Sequence, residues 1–280
     1  MLKAYFQITK PGIILGNLLT TIAGYLFASG VHLKLASFIG ILIGTYLVIA
    51  AACTFNNLAD RKIDRQMERT AKRPSVTGAI SLKAGLIYGS FLTIAGIIFL
   101  LILTNLLTVL IALVGFIVYV SAYTYSKRKT HLATLIGSIS GATPIVGGCT
   151  AFSNHLGMAG LIIGLMMVVW QMPHFYAIAI FREKEYAQAK IPVLPITSGH
   201  QTTVRQMIFY SGLFLLLALS LYGFAPVGLA YLLVMGIVCL AWFGFNCRGL
   251  FLSKLTKWAR QDFRYSLIVL LIMSLMLALH

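Results

Sequence analysis

The chain has 280 residues, of which 59% are hydrophobic and only 10% are charged. A soluble domain of this length cannot bury that much apolar surface, so the composition indicates a membrane protein. The net charge of +16 reflects 22 basic residues against only 6 acidic ones. Because the bases lie between apolar runs, the positive-inside rule explains this excess better than a nucleic-acid partner does, and we expect no nucleic-acid partner.

Nine apolar runs approach the length of about 20 residues that a membrane-spanning helix needs. They cover residues 12–29, 36–56, 85–103, 105–124, 132–152, 157–178, 207–223, 226–246 and 265–279. No strand pattern, linker or low-complexity tract interrupts them. The sequence therefore predicts an all-α, polytopic membrane protein with about nine transmembrane helices and a single domain over residues 1–280.

The basic residues predict the orientation of these helices. With nine spans, 21 of the 22 bases fall on one side of the membrane and only Lys34 falls on the other. The positive-inside rule then places the N-terminus in the cytoplasm. The first apolar run follows Lys10-Pro11 directly, without a signal or transit peptide pattern, which favours a bacterial inner-membrane protein. The cytoplasmic connections after helices 2 and 6 are long, at about 28 residues each, and long connections often carry function.

The first of these connections begins with a row of polar residues four apart. This row is Asn56, Asp60, Asp64 and Glu68, and a row of bases runs beside it: Arg61, Arg65, Arg69 and Arg73. A spacing of four places each row on one helical face. Stacked like charges disfavour a helix slightly, whereas Mg²⁺ accepts one or two carboxylates together with phosphate oxygens. The pattern predicts a metal–diphosphate site; the alternative is a solvated charged face with pairs such as Arg61–Asp64.

A second group of chemically active residues begins inside helix 6. His174 and Tyr176 lie about two turns deeper in the membrane than Arg182 and Glu185. Ionisable groups at membrane depth indicate function by default. A helix kink at Pro173 with a hydrogen-bonded His174 remains the structural alternative.

The run from Asn56 to Asp64, followed by Arg69-Thr70 and Arg73-Pro74, resembles the N-x-x-x-D-x-x-x-D signature of UbiA-type intramembrane prenyltransferases. The resemblance extends over essentially the whole chain in helix count and motif placement. It implies nine transmembrane helices around a central apolar cavity, with two motif-bearing cytoplasmic loops. It also implies Mg²⁺-dependent transfer of a prenyl group from a diphosphate.

Two departures from that signature point to one branch of the family. Branches that act on aromatic acceptors usually have Asp where this chain has Asn57, and their second motif opens with Asp near the position of His174. Of the later acids of that motif, only Glu185 remains. These features are similar to the branch that transfers a farnesyl group from farnesyl diphosphate to a vinyl group of haem b, giving haem O for respiratory oxidases. Haem A synthase or the assembly of a terminal oxidase is then the implied partner.

The resemblance also assigns roles to individual residues. The metal-binding and catalytic set that it implies is Asn56, Asp60, Asp64 and Glu185. The implied diphosphate-binding bases are Arg61, Arg69, Arg73 and Lys184. If the resemblance holds, we expect His174 and Tyr176 to contact the haem, as iron ligand or porphyrin neighbour.

Two other functions remain open at the level of sequence. The first is a prenyltransferase that acts on a quinone precursor or another aromatic acceptor, against which Asn57 and His174 argue. The second is a transporter, although transporters tend to place ionisable residues at the bilayer midplane, and here only His174 is deep. A phosphatidyltransferase of the CDP-alcohol type is excluded because the chain lacks a D-G-x-x-A-R run.

Overall fold

The computed structural model describes residues 1–279. Within that range nine helices are long and apolar enough to cross a membrane, and no strand is present. We number them α1 (Pro11–Ser29), α2 (Leu35–Asp64), α3 (Leu82–Leu103), α4 (Leu106–Ser126), α5 (Ala133–Ser153), α6 (Met158–Phe181), α7 (Leu194–Gly223), α8 (Leu229–Phe251) and α9 (Leu255–Ala278). The all-α, nine-span prediction is confirmed.

Three helices are longer at the polar end than the apolar runs predicted. Helix α2 continues to Asp64 rather than ending near residue 56, and α9 begins at Leu255 rather than near 265. Helix α7 begins at Leu194 and bends at Gly199, whose φ is +80°. A hydropathy boundary marks where polar side chains begin, but backbone hydrogen bonds continue past it into water. The two long connections therefore shrink to residues 65–81 and 182–193.

The helices pack around a central space rather than around one solid core. Helix α5 contacts α1, α4 and α6, while α9 contacts α1, α6 and α8. The largest buried apolar cluster includes Met166 of α6, Phe214 of α7, Trp242 of α8 and Val269 of α9. Many large hydrophobic side chains remain exposed on the outside, as expected of a surface that faces lipid.

The contact between α1 and α5 depends on two glycines. A Cβ at Gly24 would lie 2.0 Å from the Ile145 carbonyl oxygen, and a Cβ at Gly148 would lie 2.2 Å from the Thr21 carbonyl oxygen. Both obstacles are backbone atoms, which a rotamer change cannot move. These helices therefore approach as closely as small residues allow, as is common in membrane proteins.

We predict that Gly148→Ala destabilises the protein by about 1–3 kcal/mol, because the added methyl group must separate two helices. Gly147→Ala is the matched control, since its Cβ would meet nothing nearer than Ile41 Cδ1 at 3.7 Å. Thermal unfolding of the two variants in detergent measures the difference. Equal melting temperatures for both would contradict this account of the packing.

Candidate active site

A cavity of about 740 Å³ lies inside the helix ring. Helices α1, α2, α4, α5, α6 and α9 line it. Its interior is mostly apolar, with lining residues such as Ile41, Val48, Phe116, Met167 and Leu270, whereas charged side chains gather at one end. Its volume is that of a site for a small organic ligand, for which about 300–1,000 Å³ is usual. We call the charged end the mouth.

The first predicted row forms one wall of the mouth. Asn56, Asp60 and Asp64 are buried and line the cavity, because residues four apart on the continuous helix α2 share a face. Glu68 follows the end of this helix, and its side chain is exposed. The row therefore comprises one amide and two carboxylates, with Glu68 outside it.

Both carboxylates are paired with bases from other parts of the chain. Arg73 Nη1 lies 2.7 Å from Asp64 Oδ2, and the Lys127 ammonium donates to Asp60 Oδ2. Arg128 approaches the other oxygen of Asp60 at 3.5 Å, although that oxygen accepts no hydrogen bond. Buried carboxylates need such partners, since an unpaired buried charge is strongly destabilising. Burial in turn lowers the pKa of Lys127.

Lys10 brings a further cation into the mouth. A short helix, Leu2–Ile8, precedes it, and Lys10 itself adopts a left-handed conformation with φ of +57° before α1 begins. Its Nζ donates to Asn56 Oδ1 at 2.6 Å, and Asn56 Nδ2 donates to Thr124 Oγ1 at 2.9 Å. Burial lowers the pKa of Lys10 to about 8. An anion bound in the mouth would favour its charged form.

Asn57 does not face the cavity. Its Nδ2 donates to the Ile8 carbonyl oxygen at 2.6 Å and holds the end of the N-terminal helix against α2. Asn57 follows Asn56 by one residue, which is about 100° around a helix. Asn57, which we interpreted from sequence as an indication of the acceptor, therefore contacts the N-terminal segment instead.

Glu185 lies beside the mouth behind two arginines. Arg182 Nη1 donates to its Oε1 at 2.9 Å, and Arg69 Nε lies 3.6 Å from its Oε2. Arg69 and Arg182 line the cavity, whereas Glu185 is not among the lining residues. In this structure Glu185 therefore orients two arginines, while its Oε2 is buried without a hydrogen-bond partner. Its place in the metal set stays a prediction.

Besides Glu185, three further expected site residues are not among the residues that line the cavity. Arg61 is exposed, because it follows cavity-facing Asp60 by one residue and points about 100° away. Lys184 is exposed on the short helix Glu183–Gln188. Tyr176 is two residues from His174, about 200° around α6, and it packs in the core beside Tyr210. These three positions do not support the predicted diphosphate and haem contacts, which stay predictions.

Several residues that line the cavity had no site role assigned from the sequence. They are Lys10, Tyr119, Tyr123, Lys127 and Arg182. The two tyrosines stack with ring centroids 5.3 Å apart on a π-helical segment of α4, Val118–Tyr123. The Lys127 ammonium lies 5.1 Å from the centroid of the Tyr123 ring. The spacing of four between Tyr119, Tyr123 and Lys127 was the available signal, since it places all three on one helical face.

His174 lines the cavity beneath the mouth. Its Nδ1 lies 2.8 Å from Ser266 Oγ on α9. The Trp170 ring stacks on the imidazole with centroids 4.8 Å apart, and the Phe263 ring lies 4.9 Å away. The histidine is therefore part of an aromatic wall between α6 and α9.

The residues of the mouth fit a metal ion that arrives with a phosphate ligand. Within residues 1–279, no three His, Cys, Asp or Glu side chains are grouped so as to hold a metal by themselves. Asp60 and Asp64 offer two carboxylates one turn apart, and Asp60 Oδ1 is buried without a hydrogen-bond partner. Mg²⁺ characteristically takes one or two carboxylates and completes its shell with substrate phosphates and water.

One similar protein aligns with this chain over almost its full length. A protoheme IX farnesyltransferase from Yersinia pseudotuberculosis serotype O:1b (strain IP 31758) is 44% identical, with 99% of this chain and 95% of the relative covered. Solved structures share the fold. One, from a study of digeranylgeranylglyceryl phosphate synthase in membranes, has a TM-score of 0.84 at 19% identity and covers 99% of this chain and 97% of its own.

A second solved structure is that of a UbiA homologue from Archaeoglobus fulgidus bound to DMAPP and Mg²⁺. Its TM-score is 0.75 at 16% identity, and the match covers 95% of this chain and 98% of its own. The model of the UbiA prenyltransferase family matches residues 17–268. These findings confirm the resemblance and decide against a transporter. The chain is a multi-pass membrane prenyltransferase and belongs to the UbiA prenyltransferase family.

Proposed function

We propose that this chain transfers a farnesyl group from farnesyl diphosphate to a vinyl group of haem b, giving haem O and diphosphate. The observation that carries the proposal is a cavity whose mouth is rich in bases and whose interior is apolar with one buried histidine. The first feature suits a diphosphate, and the second suits a farnesyl chain and a porphyrin. The name of the relative at 44% identity supports the same reaction.

The mouth supplies the groups that would hold the diphosphate. Asn56, Asp60 and Asp64 would bind Mg²⁺, because they line the mouth together and Asp60 Oδ1 has no hydrogen-bond partner. A UbiA homologue from Archaeoglobus fulgidus holds Mg²⁺ together with DMAPP, which supports the use of a metal. Bound Mg²⁺ stabilises the negative charge that develops on a leaving diphosphate. The bases that line the mouth would neutralise the remaining charge; they are Lys10, Arg69, Arg73, Lys127 and Arg182.

We expect these bases to pair with two kinds of anion in succession. Before substrate binds, Arg73 and Lys127 neutralise the carboxylates of Asp64 and Asp60. When a diphosphate arrives, its oxygens replace the carboxylates as partners of the bases, so the carboxylates become free for the metal. The mouth therefore carries compensated charge in both states, which avoids an unpaired buried ion.

The reaction then follows from the division of the cavity. The allylic C–O bond breaks, and its electron pair leaves with the diphosphate, which the cations of the mouth stabilise. The apolar interior keeps water from the allylic cation. The π electrons of the haem vinyl group form the new C–C bond, leaving a cation on the carbon next to the porphyrin. Water adds there and loses a proton, which gives a hydroxyethylfarnesyl group.

We place the mouth on the cytoplasmic side of a bacterial inner membrane, with the N-terminus cytoplasmic and residues 1–280 as one domain. The support is the basic charge of the connections that share this side. Haem A synthase or the assembly of a terminal oxidase is the proposed recipient of the product. Since Asn57 contacts the N-terminal segment, His174 and the named relative now carry the case against an aromatic acceptor.

The direct test is to incubate membranes that contain this protein with haem b, farnesyl diphosphate and Mg²⁺. We expect haem O, identified by its mass, and no product when EDTA is present, with recovery after Mg²⁺ is restored. A parallel screen of aromatic acceptors measures the alternative. Prenylation of an aromatic acceptor without haem O formation would overturn the proposal.

We predict that Asp60→Asn lowers the rate of haem O formation by at least about 100-fold, because a ligand and a negative charge are lost where the metal binds. Glu68→Gln is the matched control, since this exposed acid continues the same spacing beyond the end of α2. Its rate should stay near that of the wild type. Comparable losses in both variants would contradict the assignment of the metal site.

Lys10→Met tests the role of the N-terminal segment. We expect the KM for farnesyl diphosphate to rise about 10- to 100-fold, the value of one charged hydrogen bond of about 1.5–3 kcal/mol. Lys3→Met removes an exposed positive charge from the preceding short helix and should leave the KM unchanged. An unchanged KM in Lys10→Met would show that Lys10 does not contact the diphosphate.

A further inference from the structure

Ser266 of α9 connects two aromatic side chains of α6. Its carbonyl oxygen accepts a hydrogen bond from Trp170 Nε1 at 2.9 Å. Its hydroxyl oxygen lies 2.8 Å from His174 Nδ1 and 2.7 Å from the Phe263 carbonyl oxygen. Both contacts of the hydroxyl have the length of a hydrogen bond. The positions of the protons follow from this arrangement.

A serine hydroxyl carries one proton, and a carbonyl oxygen can only accept. The contact with Phe263 is a hydrogen bond only if Ser266 donates to that carbonyl oxygen. The contact with His174 is then a hydrogen bond only if Nδ1 carries the proton and donates to Ser266 Oγ. A neutral imidazole protonated at Nδ1 has its lone pair on Nε2.

The imidazole is also fixed in orientation. The Trp170 ring stacks on it with an interplanar angle of 24°, and the Phe263 ring lies against it at 36°. The Phe175 ring meets it edge-on. With aromatic neighbours and a hydrogen bond at Nδ1, the edge that carries Nε2 has no hydrogen-bond partner within residues 1–279, and His174 itself lines the cavity.

We infer that His174 Nε2 is the axial ligand of the haem iron and that Ser266 is the positioning residue that fixes its tautomer. This inference rests on the proposed function and identifies where that site holds its acceptor. Histidines that bind metals usually donate their other N–H to an acceptor, which orients the ring and raises its basicity. The Ser266 hydroxyl provides this acceptor.

Other potential iron ligands of the cavity are less suited. His131 lies in the connection between α4 and α5, where Thr197 Oγ1 is 3.4 Å from its Nδ1. Cys53 lies on α2 three residues before Asn56, near the diphosphate groups. Met167 lies in the interior but offers a weakly basic thioether. Among the described residues that line the apolar interior, His174 alone offers an imidazole.

Coordination by His174 also sets the depth of the porphyrin. His174 precedes Arg182 by eight residues, which corresponds to about 12 Å along α6. The iron would then sit in the apolar interior while the diphosphate stays at the mouth. A vinyl group at the porphyrin edge nearest the mouth would meet the first carbon of the farnesyl chain.

The test is a spectroscopic titration of the purified protein with ferric haem b, without farnesyl diphosphate. We expect the wild type to give the Soret band of a histidine-ligated haem, His174→Gly to lose it, and added imidazole to restore it. His131→Ala should keep the band. We expect Ser266→Ala to weaken haem binding about 10- to 100-fold, as loss of a partner of a metal ligand does. Ser274→Ala, which removes a buried hydroxyl without a hydrogen bond from the same helix, should not.

An unchanged Soret band in His174→Gly, or its loss in His131→Ala instead, would overturn the inference. Imidazole rescue separates the loss of a ligand from misfolding, since a misfolded variant would not recover. The assay for haem O tests the proposed function independently. Haem O formation with a band that is independent of His174 would leave the function standing and remove only the iron ligand.

Discussion

The pairing of Asp60 and Asp64 with bases is the constraint that shapes this molecule. Both carboxylates are buried at the mouth of an apolar cavity, where an unpaired charge would be strongly destabilising. Their partners, Lys127 and Arg73, come from the end of α4 and from the connection after α2. Charge compensation therefore joins segments that are distant in sequence. It also leaves an excess of positive charge that suits a polyanion.

The same constraint separates the cavity into two chemical regions. The buried charged groups pair with one another at the mouth. The interior is therefore apolar apart from hydrogen-bonded groups such as His174 and Gln171. A leaving anion is stabilised in the first region, and a cation is kept from water in the second. Prenyl transfer requires that the two regions adjoin, because the prenyl diphosphate extends from one into the other. This division explains how one small cavity serves two dissimilar substrates.

Sequence periodicity predicted those parts of the site that lie on one continuous helix. Asn56, Asp60 and Asp64 share a face because α2 continues to Asp64, and the spacing of four was sufficient to show this. The same rule, applied strictly, would have excluded Arg61 and Tyr176, which follow cavity-facing residues by one and two positions. Lys127 could not be paired with Asp60 from sequence, since 67 residues separate them. Contacts between distant segments depend on helix packing, which local patterns do not encode.

Asn57 shows how a residue outside the cavity can act on its chemistry. Its hydrogen bond to the Ile8 carbonyl oxygen fixes the chain two residues before Lys10, whose left-handed backbone turns the side chain toward Asn56. An aspartate at this position would present only acceptors to that carbonyl when ionised, so it could not hold the segment in the same way. The residue at position 57 therefore bears on the proposed contact between Lys10 and the diphosphate. From sequence, Asn57 in place of Asp suggested a difference in the acceptor. In this structure Asn57 instead influences the mouth of the cavity through Lys10.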